Sequence, residues 1–271
     1  MRIHTDIEEA IHNNNLVFFV GSGFSKPLGL PAWSDLIKCI SEDLEQEGES
    51  DEFICNVLKY IQAGNCTEIE ALDRLKQYGY KEKIIDILQN QINVDLSNRD
   101  LTRHQKLWQI TSQIITTNYD KAFEQTKPPD VKKIVYDDRF KVANISEEER
   151  FLFKVHGCIE DPGRCVLFSD QYKLLYNEQT GIAMELFRLF AHKCIIFIGF
   201  SLNDPFVTEL LQLRKTVIKN ERHGNYIITI EEKDFESLGV EKVGQVQNYE
   251  DDLDNYLDQL IKIRKNQEIT P

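Results

Sequence analysis

Cysteine is sparse in this 271-residue sequence: the six residues at 39, 55, 66, 158, 165 and 194 form no Cys-x-x-Cys pair. That spacing supports neither a zinc knuckle nor a disulfide framework, and buried or incidental free thiols are expected instead. Positive charge is also short, with 32 Lys and Arg against 45 Asp and Glu, a net of −13. A broad attraction for nucleic acid or anionic membranes is thereby excluded, although a local basic pocket for a small anion is not. Long apolar runs are missing. The strongest, Cys194 to Phe200, falls far short of the ~20 residues that span a bilayer and reads as a buried strand. Residues Met1 to Ala10 lack the apolar core of a secretion signal, which points to the cytoplasm and to reduced thiols. No internal repeat and no low-complexity segment is present. The length allows one well-filled domain over 1–271.

Five segments carry the signature of buried strands: 16–20 (LVFFV), 112–116 (SQIIT), 151–155 (FLFKV), 194–198 (CIIFI) and 225–230 (NYIITI). Each is short, β-branched or aromatic, and bounded by turn or polar residues. Helical periodicity falls between them, at 34–44 with Ser34 as a candidate cap, at 182–192 and at 203–219. Strands alternating with helices predict an α/β fold, a Rossmann-like parallel sheet with helices on both faces. From about 39 to 105 no strand is legible but amphipathic stretches recur, which predicts a helical insertion after the first strand. Leu253, Tyr256, Leu257, Leu260 and Ile261 have the spacing of a closing helix.

Four of the apolar strands end in small or polar motifs. The first, Gly21-Ser22-Gly23-Phe24-Ser25, has the residue types of a phosphate cradle at a strand-to-helix turn, yet it lacks both a third glycine and a Gly-Lys-Ser/Thr. By itself it is equally a plain connection. Thr116-Thr117-Asn118-Tyr119-Asp120 offers Asn118 and Asp120 to a ribose hydroxyl, an amide or a water, or else to a helix cap. Val155-His156-Gly157 presents a histidine with a sterically open neighbour, suited to general-base work or to a structural role. The histidines at 4, 12, 104, 192 and 223 lack that strand-end setting and are given no role. Gly199-Phe200-Ser201-Leu202-Asn203-Asp204-Pro205 leaves room for an adenosine, and Asn203 or Asp204 before Pro205 also reads as a helix start. In an open parallel sheet, four such strand ends face one crevice.

The ordered set GSGFS, TTNYD, VHG and GFSLNDP resembles the sirtuin superfamily over most of the chain, from Leu16 to about Ile230. The resemblance implies NAD as the ligand. Gly21, Ser22, Gly23 and Ser25 would line the diphosphate, Asn118 would hold a water or the nicotinamide ribose, and Asp120 would shape the nicotinamide pocket. His156 would be the base, with Gly199 and Ser201 at the adenosine side. Protein-deacylating sirtuins place two Cys-x-x-Cys pairs after the His-Gly, whereas this chain has only Cys158, Cys165 and Cys194 there, so no structural zinc is expected. The sequence is more similar to the bacterial sirtuin-like NAD-cleaving group of antiphage defence, which includes the sirtuin-like domain of the Thoeris effector. The residues that carry this are TTNYD, Leu30 to Leu36 (LPAWSDL), Phe168 to Tyr172 (FSDQY) and GFSLNDP. In that group the domain is fused to, or assembled with, a sensing module. No second module is legible here, which leaves a separate effector subunit or a piece of a longer protein.

An NAD glycohydrolase is the activity this resemblance implies, releasing nicotinamide and ADP-ribose and controlled through a homo-oligomer or a sensing partner. Two other classes stay open. A zinc-free deacylase or ADP-ribosyltransferase would release nicotinamide only with an acyl peptide or acceptor present, and a sensing module would bind NAD or ADP-ribose without turnover.

Overall fold

Thr5–His12 (α1) leads into Leu16–Val20 (β1), whose five side chains are all buried, as a strand covered on both faces requires. It is the central strand of a seven-stranded sheet in this computed structural model, which describes residues 3–46, 52–176, 181–218, 224–244 and 246–269. After β1 a 3-10 segment, Ser22–Leu28, precedes a run of helices: Trp33–Gln46 (α2), Val57–Gln62 (α3), Glu68–Gln77 (α4), Lys81–Ile92 (α5) and Thr102–Ile110 (α6). Gln113–Thr116 (β2), Ala122–Thr126 (α7), Lys132–Val135 (β3), Arg139–Val142 (α8) and Phe151–Lys154 (β4) follow. The chain continues through Ser169–Leu175 (α9), Ile182–His192 (α10), Cys194–Ile198 (β5), Pro205–Val217 (α11), Asn225–Ile228 (β6), Val240–Lys242 (β7) and Tyr249–Ile269 (α12). No helix among the described residues is long and apolar enough to cross a membrane.

The strand order is β3-β4-β2-β1-β5-β6-β7, and every pairing is parallel. Side chains alternate between two layers, as the period of a strand demands. Leu16, Phe18 and Val20 pack with α1, α6 and α12, while Val17 and Phe19 pack with α10 and α11. The α/β sheet and its helical insertion are as expected, and the five expected strands are the five inner ones. The edges, β3 and β7, went unread because Lys132-Lys133 opens the first and the second has only three residues. Helix α2 begins one residue before Ser34, which is therefore not its cap; Asp35 reaches back instead, its Oδ2 accepting from the Ala32 amide at 3.2 Å. Position 219 of the expected 203–219 helix lies outside the described residues.

The insertion builds its own core from α2, α4 and α5, through residues such as Ile40, Leu72, Leu75 and Leu88. Tyr119, Ile159 and Phe168 belong to the same cluster. The insertion thus roofs the loops that follow β2 and β4.

Candidate active site

Strands β4, β2, β1 and β5 are consecutive neighbours, and they are the four that carry motifs. Register places Lys154, Thr116, Val20 and Ile198 in one row across the sheet, so all four motifs leave its carboxyl edge at the same level. The chain also reverses its winding direction at β1, where such sheets form their ligand crevice.

The two glycine turns are packed backbone against backbone. Gly21 donates its amide to the Ile198 carbonyl at 2.9 Å, and Gly23 to Gly199 at 3.0 Å. A Cβ on Gly21 would lie 2.5 Å from the Gly199 oxygen, and one on Gly23 2.9 Å from it. Neither glycine has positive φ; close approach is what requires them. Their amides, with that of Phe24 bonded to Gly21 at 3.0 Å, are already engaged. Gly199 does have positive φ, +61°, and its Cβ would meet the Phe24 nitrogen at 2.3 Å. Gly199→Ala is expected to cost about 3 kcal/mol of stability, combining left-handed strain with overlap, as a denaturant titration would show. Ser22 accepts from the Trp33 amide at 3.1 Å and so ties the turn to α2. Tyr249, at the start of α12, receives the Gly199 amide at 3.1 Å; burial pushes its phenol up to about 12, so it stays a neutral acceptor. Ser201 lies two residues further on, where its carbonyl accepts from Lys233 at 3.4 Å.

Ser25, Asn118 and Asp120 form one buried cluster. Ser25 Oγ donates to Asp120 Oδ2 at 2.9 Å and accepts from Asn118 Nδ2 at 3.2 Å. Asp120 Oδ1 accepts from the Ala122 amide at 2.9 Å and so also holds the start of α7, whose N-cap position is Lys121 and not Asn118 or Asp120. With its amide nitrogen committed to Ser25, Asn118 keeps Oδ1 buried and without a hydrogen-bond partner. A buried acceptor left in that state is costly unless a ligand or water completes it.

Sequence reasoning missed the braces beneath this cluster. Tyr119 donates its hydroxyl to the Val166 carbonyl at 2.7 Å, and its own carbonyl accepts from Ile159 at 2.9 Å. The loop after β2 is thereby fixed to the loop after β4. Lys154 is 1% exposed; its ammonium donates to the Asp120 carbonyl, and to that of Tyr119 at 3.4 Å, and pairs with Glu124 at 3.0 Å. Burial works against this charge, and Glu124 foremost outweighs it, so the Lys154 pKa is held above the ordinary lysine value. The legible signal was a lysine in an otherwise apolar strand.

His156 is 3% exposed, with Nε2 3.0 Å from the Tyr176 hydroxyl and 3.5 Å from Asp204 Oδ2. The Tyr176 and Phe206 rings stack with centroids 4.9 Å apart, and the Tyr172 ring centroid lies 5.1 Å from that of the imidazole in a T-shaped contact. Burial lowers the His156 pKa and Asp204 opposes it, which keeps the ring neutral near pH 7 and able to accept a proton. Asp204, not Asn203, caps α11, through Oδ1 to the Phe206 and Val207 amides at 2.9 and 3.1 Å.

His104, given no role from sequence, is 1% exposed between Phe24 and Phe123, with ring centroids 4.8 and 4.7 Å away and neither nitrogen hydrogen-bonded. Burial pulls its pKa down to about 4, with Asp120 opposing. Because the folded value lies below the unfolded one, its contribution is complete above about pH 6.5 and lost as the pH falls towards 4, a change of about 3 kcal/mol. Denaturation midpoints of His104→Phe between pH 7 and 4.5 should therefore fall less than those of the wild type. His223 lies outside the described residues. Among the described residues no three His, Cys, Asp or Glu side chains gather as a metal set, and burial pushes the Cys165 thiol up to about 12.

A SIR2-like domain model matches residues 112–261, more than half of the chain. The chain belongs to the SIR2-like domain family. Relatives of this SIR2-like chain include the NAD(+) hydrolase ThsA of Cytobacillus dafuensis, 24% identical over 225 residues that cover 80% of this chain and 42% of that protein. Defense-associated sirtuin 2 of Bacillus subtilis is 27% identical over 241 residues, covering 86% and 22% respectively. The chain thus spans less than half the length of these relatives. Among solved structures, a Sir2 enzyme superposes with TM-score 0.52 at 14% identity, covering 98% of this chain and 99% of the other. A Sir2 homologue solved with NAD gives 0.51 at 12% identity, with 98% and 96% covered. These likenesses establish the fold.

Proposed function

We propose that this SIR2-like chain hydrolyses the nicotinamide–ribose bond of NAD and serves in the cytoplasm as an NAD-depleting effector of bacterial antiphage defence. The observation that carries this reading is the buried Asn118 Oδ1, an acceptor with no partner, at the same sheet edge as a buried His156 whose pKa burial lowers. The names of the relatives, an NAD(+) hydrolase and a defense-associated sirtuin, agree with it. The nicotinamide leaving group is already cationic, so cleavage needs an enclosed site for an oxocarbenium-like centre and a placed water more than acid assistance.

In this reading residues 1–271 act as one NAD-binding unit. Asn118 Oδ1 accepts a hydrogen bond from the attacking water on the ribose face opposite nicotinamide, while Ser25 and Asp120 keep its amide from rotating. His156 takes the proton that the water releases. Asp120 borders the nicotinamide. Gly21, Ser22, Gly23 and Ser25 lie along the diphosphate, contributing close approach and the Ser22 hydroxyl, since the Gly21 and Gly23 amides and the Ser25 hydroxyl are engaged, and Gly199 and Ser201 face the adenosine. An enzyme that drains NAD without an acyl substrate must be held back, so we assign its control to a homo-oligomer or a sensing module outside this unit. The test is incubation of purified protein with NAD, with and without extract of phage-infected cells, following nicotinamide by chromatography. Release in either arm supports the reading, and NAD left intact in both overturns it.

A further inference from the structure

Asp204 belongs to the turn after β5, yet it reaches His156 beyond the end of β4, three strands away or roughly 14 Å at the usual strand spacing. Such a reach is unnecessary for capping α11. One carboxylate oxygen does cap, with Oδ1 held by two amides at 2.9 and 3.1 Å. The other, Oδ2, is turned towards His156 Nε2 at 3.5 Å, and the two side chains are only 4% and 10% exposed. The groups that face the imidazole are Asp204, Tyr172 and Tyr176, with Phe206 completing the aromatic wall. Asp204 is the one anion among them.

We propose that Asp204 is a positioning residue for His156, fixing its ring by the contact at Nε2 and stabilising the imidazolium that forms when His156 takes a proton. The inference rests on the reading of His156 as the base. With the proton on Nε2 shared towards Asp204 and Tyr176, Nδ1 is the nitrogen left to receive the proton of the attacking water. In that step the water oxygen bonds to the ribose carbon, and the carbon–nitrogen bond breaks with its electron pair going to nicotinamide. The water proton moves to Nδ1 and then to solvent.

Asp204→Asn tests this because asparagine caps a helix as well as aspartate does, so the substitution removes the charge and spares the fold. His156 is titrated by NMR in protein carrying ring-labelled histidine, and nicotinamide release is measured against pH. Removing the anion lowers the pH at which His156 titrates, and the ascending limb of activity moves to lower pH with it. On the plateau kcat should fall about tenfold with KM for NAD changed less than twofold, since only proton transfer is affected. Asp204→Ala, which also loses the cap, should lower the melting temperature, whereas Asp204→Asn should not. An unchanged His156 titration in Asp204→Asn would overturn the proposal, as would an unmoved activity limb. If His156→Ala leaves release intact, the assignment of the base fails, and the NMR titration still decides whether Asp204 and His156 are paired.

Discussion

Nicotinamide release from NAD is expected to fall by roughly two to four orders of magnitude in His156→Ala, the range for loss of a placed general base. Asn118→Ala should fall comparably, because it removes the one group in its cluster with an acceptor left over. The double variant should be little worse than either single one, since a placed water without a base and a base without a placed water fail at the same step. NAD binding measured by calorimetry should survive each substitution within a few-fold. Neither side chain contributes to the strand cores, so both single variants should fold; the contacts to other elements that they lose are those of Asn118 with Ser25 and of His156 with Tyr176 and Asp204.

Lys154→Met is expected to have the largest effect on stability, a loss of about 3–5 kcal/mol, as happens when one partner of a buried ion pair is removed. In a chain of this size that corresponds to a fall of about 10 °C in the melting temperature. Three acceptors lose the ammonium together: Glu124, the Asp120 carbonyl, and the Tyr119 carbonyl, which keeps only the Ile159 amide. Glu124 already has Oε2 buried without a partner, and Lys133 at 3.3 Å is its other cation. Adding Glu124→Leu to Lys154→Met should therefore recover part of the loss, since no buried charge is then left unmatched. If Lys154→Met alone melts within 2 °C of the wild type, a shift of roughly one kcal/mol in a chain of this size, the Lys154–Glu124 pair is not a structural support.

The inner sheet was legible in the sequence because strands buried on both faces must be continuously apolar, and LVFFV and CIIFI are. The edge strands were not, since a strand with one free edge tolerates lysine and can be three residues long. Candidate site residues were legible where small or polar side chains interrupt an apolar strand end, as at Asn118, His156 and Gly199. Their supports were harder to read. Tyr119 looked like part of a motif but works by fixing one loop to another, and His104 reaches the site only through packing with Phe24 and Phe123. The second function of Asp204 depends on a turn crossing three strands, which no local spacing encodes. The GSGFS turn was legible only as either a phosphate cradle or a plain connection; what requires Gly21 and Gly23 is room for the Gly199 backbone.

In the proposed reaction this site transfers the ADP-ribosyl group of NAD to water. The most direct measurement of that transfer is a mass balance of nicotinamide and ADP-ribose from NAD under the activating condition, with and without an acyl-lysine peptide. The account predicts equal amounts of the two products at a rate the peptide does not change. Nicotinamide that forms only when the peptide is present, or without matching ADP-ribose, would contradict it.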